Sequence, residues 1–150
     1  MRILVEYDDR EVTRMLQRLI DAGINPRPAL LEIGEELVDS TKKRFGSQSG
    51  PAGVPWERNA PSTIKRKGRD QPLTSGGTLM DQIHPQLSGN DTLEVGSSMV
   101  YAAMQQFGGT KSEFPHLWDD IPARPFIGIS DADEDKIIDI FNQYLQDQIE

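Results

Sequence analysis

The side chains that could support catalysis or metal binding are few and poorly grouped. Two histidines, His84 and His116, lie far apart, with no cysteine in the chain and no H-E-x-x-H spacing. A nucleophile elbow, a P-loop and a dinucleotide-binding fingerprint are also missing from the sequence. The carboxylates between 131 and 135 lack the spacing of a calcium loop and are typical of a helix start. We therefore predict a protein that is not an enzyme, with no catalytic residue, metal site or cofactor.

Charge is distributed unevenly along the chain. The net charge is −8, yet residues 42–69 carry eight basic residues and one acid, a net +7 that leaves −15 for the rest. Such an asymmetry concerns binding partners rather than the fold. We predict that an arm over residues 46–69 reaches a neighbouring protein and that its basic side chains face an acidic surface there. The alternative is contact with DNA, which seven excess positive charges would allow and the acidic remainder would oppose.

Two single residues are candidates for contacts with other chains. Trp56 follows a stretch rich in glycine and proline, so it either anchors that stretch on the core or docks on another chain. Arg124 lies among apolar residues in the segment Ile121-Pro-Ala-Arg-Pro-Phe-Ile-Gly-Ile-Ser130. It is either an exposed edge-strand arginine or one arm of a forked ion pair with a carboxylate. We favour the ion pair because a buried guanidinium must satisfy its donors.

The elements that position these residues follow from hydrophobic periodicity. Residues 2–7 predict a strand, and a helix follows that ends at Gly23, with an apolar face of Val12, Met15, Leu16, Leu19 and Ile20. A second helix of about 20 residues is predicted to start at Asn25-Pro26 and to end at Gly46. Its buried stripe is Leu30, Ile33, Leu37, Val38, Thr41 and Phe45. Lys42, Lys43 and Arg44 are assigned to its exposed face, where they suit the helix dipole.

The second half of the chain is predicted from shorter signals. A short helix opens at Gly77 or Thr78, with Leu79, Met80 and Ile83 as its apolar face, and is stopped by Pro85. A hairpin turns at 88–91, with Leu93 and Val95 on one face. A helix over 98–107 with Val100, Ala103, Met104 and Phe107 on one face ends at Gly108. The 121–130 segment is predicted to be an edge strand, and Ser130 to cap a last helix. That helix presents Ile137, Ile138, Phe141, Tyr144, Leu145 and Ile149.

These elements predict one α+β domain over residues 1–150. A small antiparallel β-sheet is packed by long N- and C-terminal helices, and a flexible basic arm covers about residues 46–69. No apolar run approaches the roughly 20 residues that span a bilayer, and the first residues do not form a secretory signal. We expect no membrane partner and a location in the cytoplasm of the cell that makes the protein.

An ordered series of short motifs resembles the phage virion-morphogenesis proteins, the tail-completion proteins of Mu-like and P2-like contractile-tailed phages. The similarity covers about residues 30–145 and ends in Ala-Arg-Pro-Phe at 123–126. The series is Arg44-Phe45, Pro51-x-Gly53-x-x-Trp56, Thr63-x-Lys65, Leu73-x-x-Gly76-Gly77-x-Leu79-x-x-x-Ile83, Val95-Gly96-Ser97, Tyr101-Ala102, Gln106-x-Gly108-Gly109 and 121–130.

The resemblance implies a structural subunit that completes the head-proximal end of the tail and prepares it for head–tail joining. It implies a homo-oligomeric ring, with a hexamer favoured, that contacts tail tube and neck proteins in the virion. A head-to-tail ring needs two different complementary patches on each subunit, and a basic arm with an acidic remainder could supply them. The residues that we predict at such contacts are Trp56, Arg58, Lys65, Arg66, Lys67 and Arg124. A DNA-contacting neck or packaging accessory protein remains the alternative.

Overall fold

The computed structural model describes residues 10–58, 78–89, 91–97, 102–115 and 120–149. The architecture is α+β, as predicted, with a two-stranded antiparallel sheet packed against a long N-terminal helix and a C-terminal helix beside it. The strand predicted over 2–7 lies outside the described residues. The elements in chain order are α1 (Arg10–Asp21), α2 (Arg27–Ser47), α3 (Thr78–Asp81), β1 (Ile83–Ser88), β2 (Thr92–Ser97), α4 (Ala102–Phe107) and α5 (Asp131–Ile149).

Helix α1 buries the face that its periodicity predicts. Leu19 is buried, and Val12, Met15 and Leu16 are partly buried against the same cluster. Ile20 lies at the margin of this face and remains 41% exposed, so its prediction as a core residue is wrong. Gly23 follows the helix at φ +70°, a left-handed conformation that glycine adopts without the steric cost of a Cβ atom.

Helix α2 buries most of the predicted stripe, but both of its ends differ from the prediction. Pro26 is the N-cap residue, while the side chain of Asn25 accepts a hydrogen bond from the Arg27 backbone N–H at 3.1 Å. Gly46 lies inside the helix, which ends only where Gln48 turns to φ 56°. The Gln48 N–H then donates to the Arg44 carbonyl at 2.7 Å, which satisfies one of the last carbonyls of the helix.

The predicted hairpin is confirmed. Strands β1 and β2 pair in register from Ile83 opposite Ser97 to Ser88 opposite Thr92. Both strands pack on α2, and Gly34 permits the approach. A Cβ atom at Gly34 would lie 2.9 Å from Cβ of Pro85 and 3.0 Å from Cδ1 of Leu93.

Two hydrophobic clusters form the interior. The first core joins α1, α2 and α5 through Leu19, Ala29, Leu30, Ile33, Ile137 and Phe141. Beside it, between α1, α2, β2, α5 and the 121–130 segment, lies an apolar cavity of about 250 Å³ that is partly open to solvent. The second core joins the end of α2 to the hairpin, α4 and the 121–130 segment through Phe45, Trp56, Leu79, Ile83, Ala102 and Phe126.

Several local predictions in the second half of the chain are wrong. Ile83 begins β1 rather than completing the face of α3. Pro85 lies within β1 instead of ending a helix, and within the described residues β1 pairs only with β2, so its other edge is one where proline is tolerated. Helix α4 buries Ala102 and Gln106, while Phe107 is 59% exposed. Gly108 does end this helix, at φ +69°. The part of the prediction that concerns Val100 lies outside the described residues.

The 121–130 segment is not an edge strand. Ile121 forms a single antiparallel bridge with Gly109, and the residues after it follow an irregular path. The two prolines remove N–H groups that a ladder needs. The Arg124 N–H donates to the Gln105 carbonyl at 2.8 Å, and side chains bond the backbone groups of 125–127. Ser130 does cap α5, because its hydroxyl accepts from the Asp133 N–H at 3.0 Å.

The expectation of a flexible arm is corrected for residues 46–58. Residues 46 and 47 are the last turn of α2, and the following loop closes on itself through a bridge between Ser49 and Pro55. Backbone hydrogen bonds from Gly50 to Val54 and from Trp56 to Gln48, at 3.0 and 2.8 Å, complete a compact turn. The rest of the predicted arm, 59–69, lies outside the described residues. None of the described helices is long and apolar enough to cross a membrane.

Candidate functional site

The 121–130 segment is where the described parts of the chain converge. It is bonded by five buried side chains, which we call the clasp: Arg44, Trp56, Gln106, Arg124 and Asp133. They come from α2, the loop after it, α4, the segment itself and α5. The clasp therefore fixes the relative positions of these elements through directional bonds in addition to apolar packing.

Arg44 and Asp133 form a buried ion pair. The guanidinium Nη2 of Arg44 donates to Oδ2 of Asp133 at 2.6 Å, and its Nη1 donates to the Phe126 carbonyl at 2.8 Å. The hydroxyl of Ser40 donates to the other carboxylate oxygen. Burial lowers the pKa of the Arg44 guanidinium from its ordinary value, while the charge and hydrogen bond of Asp133 act in the opposite direction. An arginine stays protonated in proteins, so this is a charged pair enclosed by the fold.

Asp133 also belongs to the start of α5. Its Oδ2 accepts from the Ser130 N–H at 3.0 Å, while the Ser130 hydroxyl accepts from the Asp133 N–H at the same distance. This is a reciprocal capping box with aspartate in the place where glutamate is usual. The carboxylate that caps α5 is thus also the counter-ion of α2.

Gln106 replaces a β-strand partner for the middle of the segment. Its Oε1 accepts from the backbone N–H groups of Phe126 and Ile127, both at 3.0 Å, and its Nε2 donates to the Ile127 carbonyl at 3.0 Å. One buried amide side chain therefore satisfies three backbone groups that no ladder reaches. Its removal would leave buried donors unpaired, which costs more than the bonds themselves contribute.

Trp56 and Arg124 hold the loop that follows α2. The indole N–H of Trp56 donates to the Pro125 carbonyl at 2.7 Å, and the ring stacks edge-on against Phe45 with centroids 5.4 Å apart. Arg124 donates from Nε to the Glu57 carbonyl at 2.7 Å and from Nη2 to the Arg58 carbonyl at 2.9 Å. The clasp thus fixes the chain up to the point where the central part of the basic stretch begins.

The predicted contact residues that the structure describes differ in burial and in their bonding partners. Arg124 is only 8% exposed, so the edge-strand alternative is wrong, and two of its guanidinium nitrogens donate to backbone carbonyls. The carboxylate partner that we favoured stays a prediction. Trp56 anchors its loop on the core, as the first alternative holds, and at 6% exposure it has little area left for a partner. Arg58 is exposed. Lys65, Arg66 and Lys67 lie outside the described residues, so their role stays a prediction.

Sequence reasoning missed Arg44, Gln106 and Asp133. The prediction places Arg44 on the exposed basic end of α2, yet it is only 6% exposed. Its position three residues after buried Thr41 and one before Phe45 places it on the core face, so the helical spacing could have identified it. Gln106 carries no comparable signal, because a glutamine beside apolar residues looks like an ordinary surface position.

The clasp positions the backbone of its own chain. Among the described residues, no group of three or more histidine and acidic side chains could hold a metal ion. His84 is exposed on β1, with its Nε2 3.5 Å from the side-chain oxygen of Gln82. The buried polar groups of the clasp bond to one another or to the backbone of their own chain.

Comparison with known proteins yields a consistent set of relatives. The sequence pattern of the phage virion morphogenesis family matches residues 7–146. A protein of Haemophilus influenzae, Mu-like prophage FluMu G protein 2, is 30% identical over 138 residues, which is 91% of each chain. The putative capsid assembly protein G of Escherichia phage Mu is 32% identical over 111 residues, 69% of each chain. No solved structure matches the chain.

Proposed function

The chain belongs to the phage virion morphogenesis family, and from that premise we propose that it completes the head-proximal end of a phage tail. In this role it is a structural subunit that prepares the tail for joining to the head. The similarity to a phage Mu protein named as a putative capsid assembly protein supports a role in building the particle. One structural observation supports it further: the clasp side chains form hydrogen bonds to the backbone of their own chain.

The same observation supports a non-enzymatic role. A catalytic group needs an accessible atom with a partner that adjusts its reactivity, usually in a cleft. Arg44 and Asp133, which form the strongest electrostatic pair in the described residues, are 6% and 2% exposed and satisfy each other. The described surface presents charged side chains together with several exposed apolar ones, such as Val54 and Phe107, and both kinds suit recognition of another surface.

We propose that the protein works as a homo-oligomeric ring, with six subunits favoured, between the tail tube and the neck proteins of the virion. The basic arm over 46–69 is proposed to contact an acidic surface of a neighbouring protein. Within it, Arg58 and the three basic residues at 65–67 would make the contact. Trp56 and Arg124 would fix the base of the stretch, since both are buried in the clasp. Exposed charges of this kind increase the association rate and orient the docking more than they increase the affinity.

Complementation of a phage or prophage that lacks the gene tests this function. Charge reversal of Lys65, Arg66 and Lys67 to Glu should reduce infectious particles and leave tails that do not join heads, seen by electron microscopy. The matched control is Lys43→Glu, because Lys43 is exposed on α2 and makes only a surface pair with Asp39. Particles that form normally without any copy of the protein would refute the assembly role.

DNA contact is the second candidate, and it rests on the charge of the basic stretch 42–69. Its net charge of +7 counts Arg44, which is buried against Asp133 and unavailable to phosphate. A DNA-binding protein that contacts several phosphates loses affinity steeply as salt rises. Duplex binding by the purified protein that falls steeply with salt, and is abolished by the 65–67 reversal, would favour DNA over a protein neighbour.

A further inference from the structure

A stripe of arginines runs along the solvent face of α1. Arg10, Arg14 and Arg18 follow one another at four-residue spacing, and all three are exposed. Eight residues of helix at about 1.5 Å each give the stripe a length of roughly 12 Å. In the described part of the chain no hydrogen bond or ion pair involves these three side chains. The basic stretch at 42–69 is therefore not the only positive surface of this acidic chain.

Local helix energetics do not account for this stripe. Like charges four residues apart destabilise a helix by about 0.2–0.5 kcal/mol for each pair. Arg10 also lies in the first described turn of α1, towards the positive end of the helix dipole, where an acidic residue would be favoured. Glu11 is adjacent in sequence but is exposed and unpaired in the described structure.

Helix α5 carries an acidic stripe of matching geometry. Asp131, Asp135 and Asp139 recur at the same four-residue spacing and are all exposed. Asp131 lies in the first turn, where the helix dipole explains it, but the other two lie beyond that turn. The neighbouring Lys136 does not neutralise them, because its amino group bonds to Glu36 at 2.8 Å.

The two stripes do not meet within one chain. Helices α1 and α5 pack through Leu19, Ile137 and Phe141 in the first core. At about 100° per residue, both stripes fall on the sides of their helices that face away from those core residues. Each stripe is therefore open to another molecule.

We propose that the arginine stripe of α1 docks on the aspartate stripe of α5 in a second copy of the chain. The two have equal length, equal spacing and opposite charge, so three ion pairs can form at once between antiparallel helices, with Arg10 opposite Asp139, Arg14 opposite Asp135 and Arg18 opposite Asp131. Because the two patches differ and lie on one subunit, each copy can both offer and receive the contact. This interface rests on the proposed function as a ring subunit and supplies the contact between its members.

Charge reversal on either stripe tests the interface. One variant carries Arg10→Glu and Arg14→Glu, and the other carries Asp135→Lys and Asp139→Lys; both spare Asp131, which supports the start of α5. The wild-type chain should self-associate at low salt, and each variant alone should associate at least about tenfold more weakly. An equimolar mixture of the two variants should recover the wild-type assembly, since each then meets a complementary stripe. Mass photometry or sedimentation measures the species, and circular dichroism checks that both variants fold.

The mixture distinguishes this interface from simple damage to either helix. A wild-type chain that stays monomeric at high concentration and low salt, variants that assemble normally, or a mixture that fails to recover assembly would each overturn it. Loss of duplex DNA binding with unchanged self-association would assign the arginine stripe to nucleic acid and also overturn it. If assembly is unaffected while the variants still complement phage growth, the interface is wrong and the proposed function stands. If deletion of the protein leaves phage growth normal, the proposed function itself is wrong.

Discussion

The first core and the clasp hold the same fold by different forces. In the first core, α1, α2 and α5 meet through aliphatic and aromatic side chains, and the fit leaves an apolar cavity of about 250 Å³. In the clasp, an irregular segment is fixed by hydrogen bonds with donors and acceptors at 2.6–3.0 Å. Apolar packing tolerates changes that keep volume, whereas a buried polar network fails when one member is removed. The two regions should therefore respond oppositely to small substitutions.

The largest difference is expected at the ion pair. Arg44→Met removes one partner and leaves the Asp133 carboxylate buried, which should cost about 3–5 kcal/mol of the free energy of unfolding. Urea denaturation followed by circular dichroism measures it. Lys43→Met is the matched control, because this neighbour makes only an exposed pair with Asp39 and should cost less than about 1 kcal/mol.

A second substitution separates loss of charge from loss of packing at this site. Arg44→Met combined with Asp133→Asn removes both charges and keeps an acceptor for the Ser130 N–H. The double variant should recover most of the stability that Arg44→Met loses. Equal losses in the single and double variants would show that the uncompensated charge is not the cause.

The close approach of the 121–130 segment to α4 gives the next largest effect. Gly108→Ala would place a Cβ atom 2.6 Å from both the Ala123 nitrogen and the Ile121 oxygen. Gly23→Ala has a matching left-handed φ but nothing within 4 Å, so it should lose only the conformational term of about 1–2 kcal/mol. The Gly108 variant should lose about 1–3 kcal/mol more by overpacking. Thermal or urea unfolding of the two alanine variants in parallel measures the difference in stability. Equal losses of stability would mean that the 121–130 segment moves away from the new methyl group without cost.

The cavity predicts a gain rather than a loss in the first core. Val12 lines it, and Val12→Ile adds one methylene into the available space. The variant should be more stable by up to about 0.8 kcal/mol, the value of one buried methylene. Val54→Ile is the control at a residue that is 66% exposed, where urea unfolding should detect no change. A loss of stability on Val12→Ile would mean that the first core is as tightly fitted as the clasp.

The smallest effect concerns pH at the surface pair that joins α2 and α5. The hydrogen bond and charge of Glu36 raise the pKa of Lys136 above its usual value. A raised pKa means that this pair stabilises the fold fully below the unfolded-state pKa of about 10.5 and loses its contribution as pH rises through the folded-state pKa. Lys136→Met should reduce the slope of the free energy of unfolding against pH in that alkaline window. Near neutrality the two proteins should differ only by a constant, with the same slope. An identical slope in both proteins would show that the pair is not coupled to folding.

Periodicity predicts the first core well because its physical cause is local. Val12, Leu16 and Leu19 repeat at helical spacing, so the face that packs is determined within α1 itself. The hairpin can be predicted equally well from the sequence, since its two strands flank a glycine-containing turn. The resemblance to the virion-morphogenesis family draws instead on residues of the clasp and the second core, and the family match confirms it.

The clasp could not be predicted in the same way because its partners are distant in sequence. Arg44 and Asp133 are 89 residues apart, and Gln106 bonds a segment that begins 15 positions later. The apolar residues of 121–130 fit an edge strand, but the chain satisfies that backbone with side chains. The two backbone carbonyls that Arg124 binds could not be predicted for a related reason, since carbonyls are present at every residue and leave no signal in the composition.

The contacts that close this fold also constrain the order in which it can form. The hydroxyl of Tyr144 donates to the carbonyl of Asn25, which is 119 residues away in the sequence. Asp133 bonds to Arg44 of α2, which is 89 residues away. Contacts of such long separation repay the entropy of loop closure only late in folding. During synthesis, α1 and α2 leave the ribosome long before α5 exists to cover them. The apolar faces of α1 and α2 that α5 covers in the folded chain therefore stay exposed through most of translation, a condition that favours aggregation.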